Sequence, residues 1–502
     1  MWRSAALLFA ASSACAEPAF TPVDIPAHVY SGGWEHFVGG GLAVFDCNGD
    51  GLPELAAAGG EAPVTLLRNT SDGAVAFEAT TLPYTGVTGL YPLALNDDAY
   101  PDLILLRVGE NIALKGGAEC TFSALDLPET GARWTTAFSA TWEAGHRQPT
   151  LAFGHYVDRS DPDGPFGACD INHLMRPAPQ GWTVQELTPG HCPLSMLFTD
   201  WNRTGRADLR VSNDRHYYVR DGQEQLWAME PEPRLFTPDD GWEKHQLWGM
   251  GIASRDISGD GLPDVYLTSM GDQRLQTRVG DGPTYADVPF ETGTSVHRPF
   301  TGGDGRPSTG WHVAFGDVTN NGLDDIFVTK GNVEQMPGMA MDDPNNLLVQ
   351  APDGTFSEAA DTAGLLSFHR ARGGALADFN GDGLLDIAVV NRRAPLEIWQ
   401  NTSTATGHWL SLKLAQDGPN PDAIGAWLEL RVDGKIHTRE ITVGGGHAGG
   451  TLGPEHFGLG QAGFAEVRVI WPHAGPSDWV TLTKNQSLIL RKSGSDLSVS
   501  PY

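Results

Sequence analysis

A short aspartate-rich motif near residue 378 constrains the fold of this chain more than any other feature. Oxygen-bearing side chains stand at its first, third, fifth and ninth places and glycine at the sixth; these residues are Asp378, Asn380, Asp382, Asp386 and Gly383. Oxygen atoms at alternating positions converge on one point only if the backbone curls around it, and glycine permits the sharp turn because it has no Cβ atom. An all-oxygen pocket of this kind suits a hard cation such as Ca²⁺.

The residues around the motif distinguish it from an EF-hand. Short apolar runs lie at 375–377 and 387–390, and they favour the two strands of a hairpin. An EF-hand loop is flanked by helices and has a glutamate at its twelfth place, whereas the twelfth residue here is Val389. The sequence therefore predicts a calcium loop that joins two strands.

The motif recurs along the chain, and a repeat of this kind predicts a repeat architecture. Intact copies begin at Asp46, Asp200, Asp256, Asp317 and Asp378. Two further copies are degenerate: the one near 94 has Ala94 at the first place and Ala99 instead of glycine, and the one near 142 has no acid at a ligand place.

The predicted calcium ligands occupy the first, third, fifth, seventh and ninth places of the intact loops, the seventh through its backbone carbonyl. They are Asp46, Asn48, Asp50, Leu52 and Glu54; Asp200, Asn202, Thr204, Arg206 and Asp208; Asp256, Ser258, Asp260, Leu262 and Asp264; Asp317, Thr319, Asn321, Leu323 and Asp325; Asp378, Asn380, Asp382, Leu384 and Asp386. Because charge count is one determinant of calcium affinity, the loops with three acidic places are expected to bind more strongly than those at Asp200 and Asp317, which have two.

Each repeat of about 50 to 60 residues has the length of one propeller blade. Most repeats contain a second turn after the aspartate loop, for example at Asp281-Gly282 and Asp353-Gly354, and such turns indicate a second hairpin. Two hairpins make one four-stranded blade. The sequence thus predicts an all-β fold, with a seven-bladed β-propeller over 25–402 and the last blade completed by residues before 46.

The remainder of the chain predicts a second β domain over 408–491. Residues alternate between apolar and polar in Trp409–Leu414 and Trp427–Val432, which is typical of strands in a small β-sandwich. The serine-rich residues 492–502 are expected to form a flexible tail.

These motifs resemble those of a known family. The loops resemble FG-GAP/VCBS repeats, and Phe315-Gly316 is the name-giving dipeptide. Residues 422–426, 456–460 and 469–472 resemble the ASPIC/UnbV pattern. The whole chain resembles the secreted cartilage acidic protein family, which implies extracellular recognition or adhesion. One departure is Gly444–Gly450, where the family carries an aromatic residue followed by Ser-Gln.

The N-terminus predicts export. Residues 1–16 contain a positive Arg3, an apolar run and the small-residue sequence Ala14-Cys15-Ala16, which together are typical of a cleaved signal peptide. Cys15 leaves a lipoprotein open, although Ser12 stands where a lipobox favours leucine. No later stretch reaches the length of a membrane span. The expected location is therefore extracellular or periplasmic.

The mature chain has four cysteines, and export permits disulfides. Cys169 and Cys192 flank one segment between repeats and are the preferred pair, whereas Cys47 and Cys120 are a possible pair between the first two repeats. Their spacing is unlike that of a zinc site. The formal net charge of −29 disfavours nucleic acid and anionic membranes as partners.

Motifs of catalysis are sparse. The sequence has no G-x-S-x-G elbow and no histidine pair with zinc-protease spacing. We therefore expect a non-enzymatic, calcium-binding protein whose partner is an extracellular protein or glycan, bound by the long loops 296–308 and 331–345. Two alternatives stay open: a carbohydrate-active enzyme or lectin that uses the central pocket of the propeller, and a structural cell-surface module.

Overall fold

The computed structural model describes residues 16–96, 98, 100–128, 130–161, 167–179, 181–215, 221–295, 306–334, 336–494 and 496–502. The expected signal peptide up to Cys15, Ala99 and the greater part of the 296–308 loop lie outside the described residues. Among the described residues, no helix has both the length and the apolar composition that a membrane span requires.

The first part of the chain forms a ring of antiparallel sheets, in which each sequence repeat contributes consecutive strands joined by hairpins. The strands of the first four repeats are β2 Leu42–Phe45, β3 Glu54–Ala57, β4 Val64–Asn69 and β5 Phe77–Leu82; β6 Val87–Leu93, β7 Asp102–Gly109, β8 Ile112–Gly117 and β9 Thr121–Leu125; β10 Arg133–Thr141, β11 Thr150–His155, β12 Asn172–Ala178 and β13 Gly181–Leu187; β14 Pro193–Thr199, β15 Asp208–Asn213, β16 Gln225–Ala228 and β17 Arg234–Leu235.

The later repeats have the same plan. Their strands are β18 Gly249–Arg255, β19 Asp264–Ser269, β20 Arg274–Arg278 and β21 Tyr285–Asp287; β22 Gly310–Gly316, β23 Asp325–Lys330, β24 Asn346–Gln350 and β25 Phe356–Glu358; β26 Arg370–Ala377, β27 Asp386–Arg392 and β28 Glu397–Asn401, completed by β1 Phe20–Pro22. Short 3₁₀ helices lie in the connections at Trp34–His36, Ala118–Cys120, Pro238–Asp240 and Phe290–Thr292.

The ring closes through its two ends. β1 pairs antiparallel with β28, with Phe20 opposite Asn401, and Phe77 of the first repeat packs edge-on against Phe379 of the last at 5.5 Å. The N-terminal strand thus completes the last sheet, as the sequence predicts, although it begins upstream of the expected start at residue 25. Such closure leaves only short sheet edges exposed.

The fold is a β-propeller, and its second and third repeats are joined into one sheet. β10 pairs with β7 through Trp134 and Val108, so these two repeats form a single eight-stranded sheet. In the described part of the chain, the number of separate sheets in the ring therefore differs from the number of repeats. The count of seven blades stays a prediction from the sequence.

The C-terminal domain is a β-sandwich. Its strands are β29 His408–Ala415, β30 Trp427–Val432, β31 Lys435–Glu440, β33 Glu455–Gly460, β34 Phe464–Ile470, β35 Val480–Thr483, β36 Gln486–Ser493 and β37 Asp496–Pro501, whereas β32 Thr451–Leu452 pairs with β2 in the sheet of the first repeat. One sheet has the order β33-β29-β36-β37 and the other the order β31-β30-β34-β35. Alternate residues such as Leu410, Leu428 and Val467 are fully buried between the sheets, which is the burial pattern expected of a sandwich.

The expected flexible tail is a strand in the structure. β37 pairs with the last long strand β36, with Leu488 opposite Pro501, and Leu497 packs against the sandwich core. The serine content of this segment conceals an alternation of Leu497 and Val499 that fits an edge strand. Residues 492–502 therefore belong to the sandwich.

Both predicted disulfides are present in the structure. Cys47 is bonded to Cys120 and Cys169 to Cys192. The first bond ties the first aspartate loop to the second repeat. The second ties the third repeat to the start of the fourth. Such bonds form and persist in oxidising compartments.

Candidate metal sites: the aspartate loops and the face they share

All the intact aspartate loops lie at the same place in their repeats. Each joins the first strand of a repeat to the second, and the residue before the loop pairs with the ninth-place acid. These pairs are Phe45 with Glu54, Thr199 with Asp208, Arg255 with Asp264, Gly316 with Asp325 and Ala377 with Asp386. Because the register is shared, all the loops lie on one face of the ring.

The first-place aspartate holds the turn of each loop. In the loop at Asp378, its carboxylate accepts hydrogen bonds from the backbone N–H of Gly381 and of Gly383, both at 2.8 Å. The sixth-place N–H makes the same bond in the other loops, at 2.6 to 3.0 Å. The sixth-place glycines have φ values of 84° to 89°, a left-handed conformation that favours glycine.

The fifth-place and ninth-place side chains are also fixed by backbone bonds. Asp382 accepts from the N–H of Leu384 at 2.9 Å. Asp386 accepts from the N–H of Phe379 at 2.9 Å and from the N–H of Asn401 at 2.7 Å. The ninth-place acid thus connects the loop to another strand of its sheet. It would do so whether or not it also binds a metal ion.

Burial of these carboxylates is electrostatically costly. Burial, together with neighbouring carboxylates of the same loop, raises the pKa of Asp386 to about 8 and that of Asp378 to about 6. The same causes raise the pKa of Glu54 to about 7 and that of Asp264 to about 6. A cation held between such groups would favour their ionised forms. The donor set consists of oxygen atoms, so these residues fit a hard divalent ion.

The fourth repeat and the two degenerate repeats carry a protein cation near the loop, and in the sixth repeat Arg439 pairs with Asp324, which is not one of the predicted ligands. In the fourth repeat, Nε of Arg206 lies 3.2 Å from Oδ1 of Asp208, and Trp201 donates to the other oxygen of this carboxylate at 2.8 Å. In the degenerate second repeat, Nζ of Lys115 lies 3.0 Å from Oδ2 of Asp98.

In the degenerate third repeat, Nε of Arg176 lies 2.8 Å from Oε1 of Glu143. By contrast, none of the ion pairs among the described residues involves the ligand acids of the loops at 46, 256, 317 and 378. The structure therefore separates the Asp200 loop from the other four intact loops.

The β-sandwich covers the face that carries the aspartate loops. Thr438 donates to Asp256 at 3.0 Å, and the hydroxyl of Tyr502 donates to Asp46 at 3.2 Å. Arg203 in the fourth loop forms an ion pair with Glu429 of the sandwich at 2.6 Å. The loops are thus part of the interface between the two domains.

A glycine-rich segment of the sandwich crosses the centre of the ring. Residues 443–452 make bridges or strand pairs with the first strands of five repeats: Val443 with Ala140, Gly444 with Leu197, Gly446 with Ile252, Gly449 with Leu90 and Thr451 with Val44. We call this segment the plug. It enters the axis of the propeller from the side of the aspartate loops.

Close packing explains the glycines of the plug. A Cβ atom on Gly449 would lie 2.1 Å from the carbonyl oxygen of Leu42, and one on Gly444 would lie 2.6 Å from that of Met196. Sequence reasoning identified these glycines only as a departure from the family pattern. One signal in the sequence could have indicated a buried segment: two runs of glycine on either side of one histidine. Neither a strand pattern nor a hairpin turn explains glycines at these positions.

The predicted partner-binding segment lies on the opposite face of the ring. Residues 331–345 join the second strand of the sixth repeat to the third, whereas the aspartate loops join first strands to second strands. Met339 is buried, while the side chain of Met336 is partly exposed. Trp311, which follows the first long loop, is fully buried.

Together, the ring and its capping domain define a β-propeller with metal-type aspartate loops and a C-terminal β-sandwich. Comparison with known families agrees: residues 416–496 match the family described as ASPIC and UnbV. Cartilage acidic protein 1 of Homo sapiens is 36% identical over 119 residues, which is 24% of this chain and 15% of that protein. Cartilage acidic protein 1 of Xenopus tropicalis is 33% identical over 215 residues, which is 39% of this chain and 29% of that protein.

The chain thus spans less than a third of the length of these curated relatives. The matches confirm the resemblance to the cartilage acidic protein family, and neither relative's name describes an enzymatic activity. Among solved structures, BBS1N in complex with ARL6DN matches with a TM-score of 0.47 and 11% identity, over 78% of this chain and 99% of that chain. An Agrocybe aegerita lectin that recognises terminal N-acetylglucosamine matches with a TM-score of 0.30 and 14% identity, over 77% of this chain and 90% of that chain.

Proposed function

We propose that this protein is a secreted, calcium-stabilised β-propeller that recognises an extracellular protein or glycan and has no catalytic role. The observation that carries the proposal is the set of buried carboxylates in the loops at 46, 256, 317 and 378, which face one another without an ion pair among the described side chains. Calcium would neutralise these groups.

The ligands of each ion would be the side chains at the first, third, fifth and ninth places and the carbonyl at the seventh. The sequence predicts about five sites, but the ion pair of Arg206 with Asp208 disfavours the loop at Asp200. We therefore expect four sites, the one at Asp317 being weaker than the other three because it has two acidic places. Because the same loops contact the sandwich, bound calcium would stabilise the joint between the two domains as well as the ring.

Export is supported by the two disulfides and by the relatives, which are named as cartilage proteins. The recognition role is supported by the distribution of surfaces. The sandwich covers one face of the propeller, so a partner would meet the other face, which carries the segment 331–345. The plug occupies part of the axis beside the loops and leaves a cavity of about 260 Å³ there.

Thermal unfolding of the purified mature chain tests the calcium role. A ligand that binds only the folded state adds about 2.7 kcal/mol per site at a hundredfold excess over Kd. We expect a calcium chelator to lower the melting temperature substantially and added calcium to restore it. Magnesium serves as the control, because it demands a near-octahedral site and is expected to restore less. A melting temperature indifferent to chelator would contradict the proposal.

A further inference from the structure

A cavity of about 460 Å³ opens on the face of the ring opposite the sandwich. It lies at the propeller axis. The first strands of several repeats begin there, and their second strands end there. Its walls are mostly apolar and contain five aromatic residues and three methionines: Trp34, Phe37, Tyr156, Trp248, Trp311, Met250, Met270 and Met336. Cavities of this size accommodate small molecules rather than protein segments.

One wall of the cavity presents a supported aromatic surface. Trp34 stacks on Phe37 with ring centroids 4.4 Å apart, and Phe37 packs edge-on against Trp134 and Tyr156 at 5.8 and 6.0 Å. Phe37 and Tyr156 are buried, yet the side chain of Trp34 is 47% exposed. A tryptophan that is exposed and held by other rings is suited to contact the flat face of a ligand.

Positive charge is concentrated around the cavity. Arg215, Arg392 and Arg393 line it together with the acids Asp214 and Glu334. A fourth guanidinium, that of the fully buried Arg372, lies over the ring of Trp311 at 3.9 Å. The chain has a formal net charge of −29. Among the residues that the structure describes around this cavity, four arginines against two acids make a local positive region, which favours an anion.

The arrangement of Arg372 strengthens this field. Its guanidinium donates to the carbonyl oxygens of Phe37, Ala371 and Val333, at 2.9, 2.8 and 2.6 Å. These partners are neutral, so they satisfy its hydrogen bonds without cancelling its charge. A buried charge acts through a medium of low effective dielectric and is screened less by salt than a surface charge.

We infer that this cavity binds a small anionic amphiphile, a molecule with an aromatic body and one carboxylate or sulfonate group. The mostly apolar walls favour an aromatic body over a free sugar, because many of a sugar's hydroxyl groups would face side chains that offer no hydrogen bond. The aromatic body packs against Trp34 and the methionines, and the acid group lies toward the arginines. The inference stands on the cavity alone and goes beyond the proposed function, which concerns calcium and larger partners.

The test compares two fluorescent probes on the purified mature chain in calcium-containing buffer. 8-Anilinonaphthalene-1-sulfonate carries the anion, and N-phenyl-1-naphthylamine has the same aromatic body without it. We expect saturable binding of the sulfonate at one site per chain and binding of the neutral probe about tenfold weaker, as the loss of one charge interaction at a partly buried site predicts. Equal affinity for the two probes would overturn the assignment of an anionic ligand.

Variants locate the site. Trp34→Ala should weaken the sulfonate probe about tenfold through loss of the aromatic contact. Phe464→Ala, which removes a 60% exposed aromatic side chain from the sandwich, should have no effect. Arg393→Gln should weaken the sulfonate probe and leave the neutral probe unchanged, because Arg393 lies at the surface of the cavity and contacts Glu334 there.

A second variant keeps the inference testable if Trp34→Ala does not fold. Met336 is 38% exposed and lines the cavity, so Met336→Glu places a carboxylate in the wall at little structural cost. It should repel the sulfonate probe. Unchanged binding of that probe by folded Met336→Glu or Trp34→Ala protein would show that it binds elsewhere and would overturn the site.

Discussion

The backbone N–H of His447 donates a hydrogen bond to Nδ1 of His312 at 3.0 Å, in the centre of the ring. His447 belongs to the plug and His312 to the first strand of the sixth repeat, so this bond joins the two domains at the propeller axis. The rings of His447 and Trp311 lie 5.0 Å apart, and both histidines are buried. The sandwich therefore stabilises the ring from inside as well as from its face.

The plug tolerates no added side-chain volume at Gly449. Gly449→Ala should lower the free energy of unfolding by about 3 kcal/mol, the upper range for overpacking, because its Cβ atom meets the backbone of β2 rather than a movable side chain. Urea unfolding measures the change. Gly463→Ala is the control, since a Cβ atom there has nothing within 4 Å. Equal stability of the two variants would contradict the packing of the plug.

Acid should weaken the packing of the plug. Burial lowers the pKa of His312 to about 4, and burial together with the nearby Arg372 lowers the pKa of His447 to about 3. The unfolded chain, whose histidines have pKa values of about 6.5, then binds protons that the folded protein does not, so stability falls as the pH falls from about 6.5 to 4.

Replacing His447 should make the free energy of unfolding depend less steeply on pH. Between pH 6.5 and 4, the free energy of unfolding of wild type should fall more steeply than that of His447→Gln, by about 1.4 kcal/mol per pH unit. Unfolding by urea at several pH values gives the two slopes. All other titrating groups are common to both proteins, so identical slopes would contradict the neutral, buried state of His447.

Among the intact loops, the residue at the seventh place should determine whether calcium binds. Arg206→Leu removes the ion pair with Asp208 and gives the fourth loop the residue found at this place in the other intact loops. It should add one calcium site. The reverse change, Leu384→Arg, should remove one by placing a guanidinium beside Asp386. Metal analysis after dialysis measures both, and unchanged calcium content in both variants would contradict this explanation.

A buried ion pair should be important for docking of the sandwich. Arg439 donates to Asp324 at 2.9 Å, and both side chains are largely buried between the domains. Arg439→Met should destabilise the protein by about 3 kcal/mol, because Asp324 loses a partner while it stays buried.

The matched control for Arg439 lies in the same sheet of the sandwich. Arg431 pairs with Glu466 at 2.8 Å, and both side chains are more than a third exposed. Arg431→Met should change the free energy of unfolding by less than about 1 kcal/mol, as for a surface pair. Differential scanning calorimetry distinguishes the two cases, and a similar loss in both variants would contradict a special role for Arg439.

Local patterns in the sequence predicted much of the fold. The aspartate loops, their place between two strands and both disulfides follow from spacing and from residue type, which are properties of short segments. The strand at Asp496–Pro501 was missed because serine content outweighed the alternation of Leu497 and Val499.

The relation between the domains could not be read from the sequence. Gly449 and His447 act through Leu42 and His312, residues more than a hundred positions away, and no local periodicity encodes such contacts. The same holds for the cavity, which forms only when the ends of strands from distant repeats meet at the axis. The cation beside Asp208 was overlooked because Arg206 was considered only for its backbone carbonyl.

The number of bound calcium ions tests the central claim most directly. Calorimetric titration of the metal-free mature chain with calcium should give about four sites, one for each intact loop whose ligand acids form no ion pair among the described residues. Asp378→Ala should lose one site, whereas Asp98→Ala, in a degenerate loop where Lys115 supplies the cation, should lose none. Finding no bound calcium, or the same number of sites in Asp378→Ala as in wild type, would contradict the account.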